Sequence, residues 1–279
     1  TDPNYYIAGW MKADLVLLVD FDQVVVDLHA LYVRDLLQSP DINSFIAFWS
    51  KAKAKEVEAQ IQKDFTDEAT RKRLIAAYRL ARGQINGKWN WVRNKYKVDK
   101  ISSMFSDPEQ YNHVRKLAQT GRIWAWRGDL TADKTMTGIA AALKANKLAV
   151  QSFYITNAET YFTYTPQARR NLREMPYTDS AVILRTQGRP SQPSLIADGH
   201  YLYYIQDVKD FHAWLERDTI TTYKMMTPEK VFLGVRGLYR LPGPPPLKPQ
   251  AAEPKPEAPA KKPKKKAGDR KSTRLNSSH

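Results

Sequence analysis

The feature that most constrains this chain is a run of six residues, LVLLVD, from Leu15 to Asp20. Five consecutive apolar side chains leave no wet face, so the run does not suit a strand with one side in water. It suits a buried parallel strand, and the acid that ends it belongs where the carboxyl end of such a strand meets a polar crevice. Parallel strands need crossover connections, usually helical, so this one segment already points to an α/β fold.

The rest of the chain supplies the alternation. Val25, Leu28, Tyr32 and Leu36 recur at spacings of three and four, which predicts a helix ending before Pro40. A second helix is expected over Ile42, Phe45, Ile46, Trp49, Val57 and Ile61, with Asp41 at its cap, and a third over Leu74, Ala77, Tyr78 and Ala81. Together they form a helical insertion from about Val25 to Leu117, too long for an ordinary crossover and expected to cover an edge or mouth of the sheet. Strands are expected at Arg122 to Arg127, Ala149 to Ile155, Ala181 to Thr186, Tyr201 to Ile205 and Val231 to Tyr239. Helices are expected between them. One, capped by Thr131, carries Met136, Ile139 and Leu143; one is opened by Thr165 and Pro166; one carries Phe211, Trp214 and Leu215. The expected architecture is a mostly parallel, Rossmann-like sheet flanked by helices, with an antiparallel strand near the end.

Residues 1–240 have globular composition and form the expected domain. Residues 241–268 are rich in Pro and Lys, as in GPPPLKPQ and KKPKKK, and have too little apolar surface to offset ordering, so they read as a disordered tail. The last eleven residues, DRKSTRLNSSH at 269–279, read as a translated sequencing adapter and are excluded from any site. The chain opens on Thr1, in what reads as a loop. That start leaves room upstream for a signal peptide or lipid anchor.

Net charge is +15, of which residues 241–279 hold +7 and residues 1–240 hold +8. Such a surface is compatible with a polyanion, an anionic membrane or an acidic ligand, and equally with solubility alone; the Lys-rich tail is a weak polyanion contact. The chain has no Cys, which excludes disulfides, thiolate nucleophiles and Cys-ligated zinc. No apolar run approaches the length needed to cross a bilayer.

In open α/β sheets, ligands gather at the carboxyl ends of the strands. Here those ends hold Asp20 and Asp22, then Gly128 and Asp129, then Asn157 and Glu159. A carboxylate so placed can accept from both hydroxyls of a ribose, a second can accept from an exocyclic amine, and a glycine lets backbone approach a ring. Helix capping and plain solvent exposure account for the same letters.

Several segments carry a family resemblance: NYYIAGW at Asn4 to Trp10, LVLLVDFD at Leu15 to Asp22, GDL at Gly128 to Leu130, FYITNAETYF at Phe153 to Phe162 and SAVILRT at Ser180 to Thr186. The chain resembles a little-characterised bacterial family whose core is similar to the class I S-adenosylmethionine methyltransferase fold. The resemblance implies a ribose contact from Asp20 or Asp22, an adenine contact from Gly128–Asp129, and substrate-facing roles for Asn157 and Glu159. It implies S-adenosylmethionine or another nucleoside-containing ligand as cofactor, with no metal. The first strand of that class and its glycine loop would lie at or before Thr1, so the resemblance implies a domain that lacks its N-terminal strand and loop in this sequence. The alternative is a non-catalytic Rossmann-like binding protein, exported or envelope-associated.

Other chemistries find no pattern. The histidines lack HExxH spacing, and neither a GxSxG elbow nor a GxxxxGK[ST] loop occurs. His29 could serve as a base only if it turned toward the crevice, whereas a hydrogen-bonded or surface position explains it more simply. GKWNWVRNKYK at Gly87 to Lys97 interleaves cations and aromatics as single-strand nucleic-acid platforms do, and as an amphipathic packed helix also does.

Overall fold

The computed structural model describes residues 2–187, 202–217, 219–221, 224–225, 230–234 and 237–246. The tail from residue 247, with its KKPKKK run and adapter-like end, lies outside the described residues, as does Tyr201. All described strands and helices fall within the compact unit Thr1–Pro244.

The first helix, α1 (Pro3–Met11), replaces the loop expected at the start. Pro3 opens it with a preset φ, and Tyr5, Tyr6 and Ala8 are buried along it. Strand β1 (Val16–Asp20) follows, and its side chains split by parity. Val16 and Leu18 enter the main core beneath the helices, while Leu15 and Leu17 pack on the opposite side. The continuous apolar run is thereby explained, because both faces are covered.

Between β1 and β2 (Ile123–Arg127) the chain is helical, as expected: α2 (Gln23–Gln38), α3 (Ile42–Phe48), α4 (Ala54–Asp64), α5 (Glu68–Val98) and α6 (Pro108–Gln119). The layer covers a face of the β1–β2 pair rather than an edge or mouth, since Val16, Leu18 and Ile123 share its core. The single helix expected over Ile42 to Ile61 is two. Trp49 is fully buried just past α3, with its Nε1 donating to Asp35 at 2.8 Å, and Ser50 to Lys53 then turn the chain. Asp41 caps α3 by accepting from the Ser44 amide at 2.9 Å.

Past β2 come α7 (Thr135–Ala145), β3 (Val150–Thr156), a short 3-10 turn (Ala158–Thr160), α8 (Pro166–Arg173), β4 (Tyr177–Gln187), β5 (Leu202–Asp207), α9 (Val208–Leu215), β6 (Val231–Phe232) and β7 (Leu238–Leu241). Thr165 caps α8, accepting from the Ala168 amide. The strand expected from Val231 to Tyr239 is instead an antiparallel pair, β6 and β7, with Gly234 and Gly237 at positive φ between them.

The fold is mixed α/β with mostly parallel pairing, but the strands form two sheets and not one. β1 pairs with β2 in parallel, and a five-stranded sheet runs in the order β3-β4-β5-β7-β6. In the second sheet β3–β4 and β5–β7 are parallel, and β5 lies antiparallel to β4. No ladder joins β1 to β3 among the described residues. Their link is through side chains: Leu15 and Leu17 from one sheet and Val150 and Phe153 from the other pack on Met136, Ala140 and Leu143 of α7. No described helix is long and apolar enough to cross a membrane.

The expected domain end at 240 is also shifted. Leu241 is fully buried, and the Pro242 carbonyl accepts from Trp214 Nε1 at 3.0 Å and Gln206 Nε2 at 3.3 Å. A chain ending at Arg240 should therefore lose about 2–5 kcal/mol, as for deleting a buried leucine. Its melting temperature should fall several degrees below that of a chain ending at Pro246, read by calorimetry; equal melting temperatures would refute the docking.

Asp35 is the least expected core residue, fully buried and accepting from Ser39 Oγ at 2.7 Å as well as from Trp49. Burial pushes its carboxyl well above the ordinary range, against the lowering effects of Ser39, Trp49 and Arg34. With the folded pKa raised, the linked stability is fully present below the unfolded pKa and is lost as pH rises through the folded value. Asp35→Asn should accordingly become more stable relative to the natural chain as pH is raised from 4 towards 8, measured by urea midpoints. A pH-independent difference would contradict this.

Candidate functional site

The β1–β2 pair ends in a polar corner built from its own backbone. Asp20 and Arg127 are register partners, and the Gly128 amide continues the ladder by donating to the Asp20 carbonyl at 2.9 Å. The Asp20 carboxylate accepts from the Asp22 amide through Oδ1 at 2.9 Å. Asp22 in turn caps α2, its Oδ1 accepting from the Val24 amide at 2.9 Å. Between them Phe21 is 70% exposed, and its carbonyl accepts from Arg127 Nε at 3.1 Å.

Across the corner, Asp129 folds its own loop. Its Oδ1 accepts from both the amide and the hydroxyl of Thr131 at 2.7 Å, and these bonds hold its carboxyl below the usual range. Thr131 thus serves Asp129 and does not cap the next helix, which begins at Thr135 without a side-chain cap. Asp20, Asp22 and Asp129 share one property. Each spends Oδ1 on a backbone amide; Asp129 takes a further backbone hydrogen bond from Ala132, whereas Oδ2 of Asp20 and of Asp22 has no hydrogen bond among the described residues.

Gly128 sits here for a different reason from the one expected. A Cβ on it would lie 2.4 Å from Thr135 Cγ2 and 3.0 Å from Thr135 Cβ, so the space is taken by the first turn of α7 and not left for a ligand ring. His29 is also removed from the crevice. It is buried with its Nδ1 3.0 Å from the Tyr5 hydroxyl, and burial pushes its pKa down to about 3.

The end of β3 is built differently. Thr156 has φ 58°, a left-handed conformation costly for a β-branched residue, and it directs the chain into Asn157 and the 3-10 turn. Asn157 is half-buried and closes that turn, its carbonyl accepting from Thr160 Oγ1 at 2.7 Å. Glu159 does not face a crevice. It is buried, accepting from Arg185 Nε at 2.7 Å and Nη2 at 3.3 Å and from the Tyr164 hydroxyl. Arg185, also buried, donates to Gln206 Oε1 at 2.8 Å and lies 5.2 Å from the centre of the Phe211 ring.

Two residues that bring these ends together gave no signal in the sequence. Arg185, inside an apolar strand, anchors the β3 loop through Glu159. Asn171 on α8 reaches back, its Nδ2 donating to the carbonyls of Leu130 at 2.8 Å and Ala132 at 2.7 Å. The Asp129 loop and the loop after β3 thus border one open groove of about 470 Å³, lined by Thr131, Thr160, Tyr161, Phe162, Thr163 and Thr165. Tyr161 is 75% exposed along it. Among the described residues no group of three or more His, Cys, Asp or Glu is placed to hold a metal.

Gly128→Ala should destabilise the protein by about 1–3 kcal/mol through overpacking against α7. Combining it with Thr135→Ala should recover part of the loss in urea midpoint. A neutral Gly128→Ala would show that the corner has slack.

No curated protein matches this sequence. A family described as Domain of unknown function (DUF7790) matches residues 1–241, a span ending on the last residue of β7 and covering every element above. The chain belongs to that family.

Proposed function

We propose that this protein binds an adenosine-containing ligand at the carboxyl ends of β1 and β2, with S-adenosylmethionine as the first candidate. The observation that carries the reading is the trio of anchored carboxylates. Asp20, Asp22 and Asp129 are oriented by backbone amides, which leaves the second oxygen of Asp20 and of Asp22, and the remaining acceptor capacity of Asp129, to accept from ligand hydroxyl or amine groups. Asp20 or Asp22 takes the ribose hydroxyls, and Asp129 takes an exocyclic amine. The exposed Phe21 ring adds an apolar surface beside them.

The finer fold reading belongs with this proposal. The two sheets share the α7 layer, and together they are read as one Rossmann-like, doubly wound arrangement whose ligand crevice lies at the carboxyl ends of the strands. On that reading the groove beyond Thr131 receives the second reactant, with Asn157 and Tyr161 at its wall, and the protein is methyltransferase-like. Glu159 contributes at one remove, by holding the loop.

Calorimetry on the full chain with S-adenosylmethionine and S-adenosylhomocysteine tests the proposal. Asp20→Asn, Asp22→Asn and Asp129→Asn each remove a charge-assisted bond worth about 1.5–3 kcal/mol, so the ribose or adenine contact should cost roughly tenfold to a hundredfold or slightly more in affinity. Binding that all three leave untouched, or no binding at all, would leave the non-catalytic reading in place. If the ligands bind and no methyl transfer follows, the site is one of recognition only.

A further inference from the structure

Helix α5 carries nine Lys and Arg against one Glu, a net of +8. Residues 1–240 hold thirty-four Lys and Arg against twenty-six Asp and Glu, also +8, so the charge excess of the folded body equals that of this one helix. Its 31 residues make a rod about 46 Å long. The inward side, with Leu74, Tyr78, Ile85, Trp89 and Val92, is buried in the main core.

The outward side is neither buried nor simply polar. Leu80 is 76%, Trp91 48% and Val98 77% exposed. At about 100° per residue, separations of eleven and seven put these three within roughly 20° of one line along the helix. Lys72, Arg79 and Lys97 flank that line on one side, and Lys88 and Lys95 on the other. No carboxylate occurs on the helix after Glu68.

We propose that this face of α5 docks on an anionic membrane surface, with Leu80, Trp91 and Val98 entering the headgroup region and the flanking cations meeting lipid phosphates and carboxylates. Long basic side chains extend sideways from such a stripe while keeping their charge in water, and a tryptophan suits the boundary because one end of its ring system is apolar and the other donates. Lys97 makes no ion pair among the described residues. Lys72–Glu68 and Lys95–Asp99 are surface pairs at 2.7 and 2.6 Å that headgroups can replace, whereas Arg79 is held by Glu58 and Lys88 by the buried Asp2, so Lys72, Lys95 and Lys97 are the cations offered to lipid.

Other occupants fit less well. A single-stranded nucleic acid would need a run of stacking rings, but of the aromatics in GKWNWVRNKYK only Trp91 is exposed, Trp89 being buried and Tyr96 half-buried. The aliphatic Leu80 and Val98 offer nothing to phosphate. A second copy would set one +8 helix against another.

The test is co-sedimentation of the full chain with phosphatidylcholine vesicles and with mixed phosphatidylcholine–phosphatidylserine vesicles. The expected result is binding to the mixed vesicles alone, weakened by salt. A triple variant, Leu80→Ser, Trp91→Ser and Val98→Ser, should lose about tenfold or more in vesicle affinity while keeping its melting temperature, since all three side chains are exposed. Lys72→Glu with Lys97→Glu should lose binding too. Replacing the lysines at 261, 262, 264, 265 and 266 with Ala should preserve it, which separates α5 from the tail. Equal binding to uncharged vesicles, binding untouched by the α5 variants, or loss through the tail lysines alone would each overturn the proposal. So would duplex DNA binding that needs Lys72 and Lys97 in a protein that ignores vesicles.

Discussion

The β1–β2 ladder, and with it the candidate site, depends on a buried aromatic core that closes about a hundred residues of chain between the two strands. Closing a loop of that length costs about 4 kcal/mol in chain entropy, before the ordering of its own residues is counted. Trp49, Trp89, Tyr32 and Phe45 supply the opposing term. Phe45 stacks on Trp89 at 4.7 Å, and Tyr32 and Trp49 each lie within 5.7 Å of Trp89. Rings of this size bury the most apolar area per residue, and the polar tips of both tryptophans are satisfied: Trp49 donates to Asp35 and Trp89 to Asp2. The folded layer holds the two strand ends together, so that Asp20 and Asp129 share one corner. A ligand at that corner therefore reports on the helical layer as well as on the strands.

Much of this was legible because local patterns and tertiary packing agree. LVLLVD is buried on one face and partly buried on the other, the three-and-four spacing of Val25 to Leu36 does form α2, and Asp41 and Thr165 do cap. The failures occur where a distant side chain decides. The break between α3 and α4 is set by Trp49 reaching Asp35, fourteen residues back, and periodicity alone carries through it. The division into two sheets depends on hydrogen bonds between edges, and side-chain pattern cannot count ladders. Gly128 looked like room for a ligand, and only the position of Thr135 shows that the room is filled.

Glu159 and Asp20 illustrate why a strand-end acid is ambiguous in sequence. Each follows or ends an apolar strand, and one-dimensional context treats them alike. Burial separates them. A carboxylate taken out of water must have its oxygens met by strong donors, and Glu159 has the Arg185 guanidinium on both and the Tyr164 hydroxyl as well. Removing either partner would strand a buried charge, so the pair is held to its structural duty of fixing the loop after β3. Asp20, Asp22 and Asp129 face the opposite situation. Backbone amides fix their direction, and contact with water makes their remaining acceptor capacity inexpensive to leave open. A recognition site requires acceptors that are oriented beforehand and still unspent. In this fold the residues that meet both conditions lie at the ends of the shorter sheet, and the residue that fails the second one, Glu159, ties down the loop beside them.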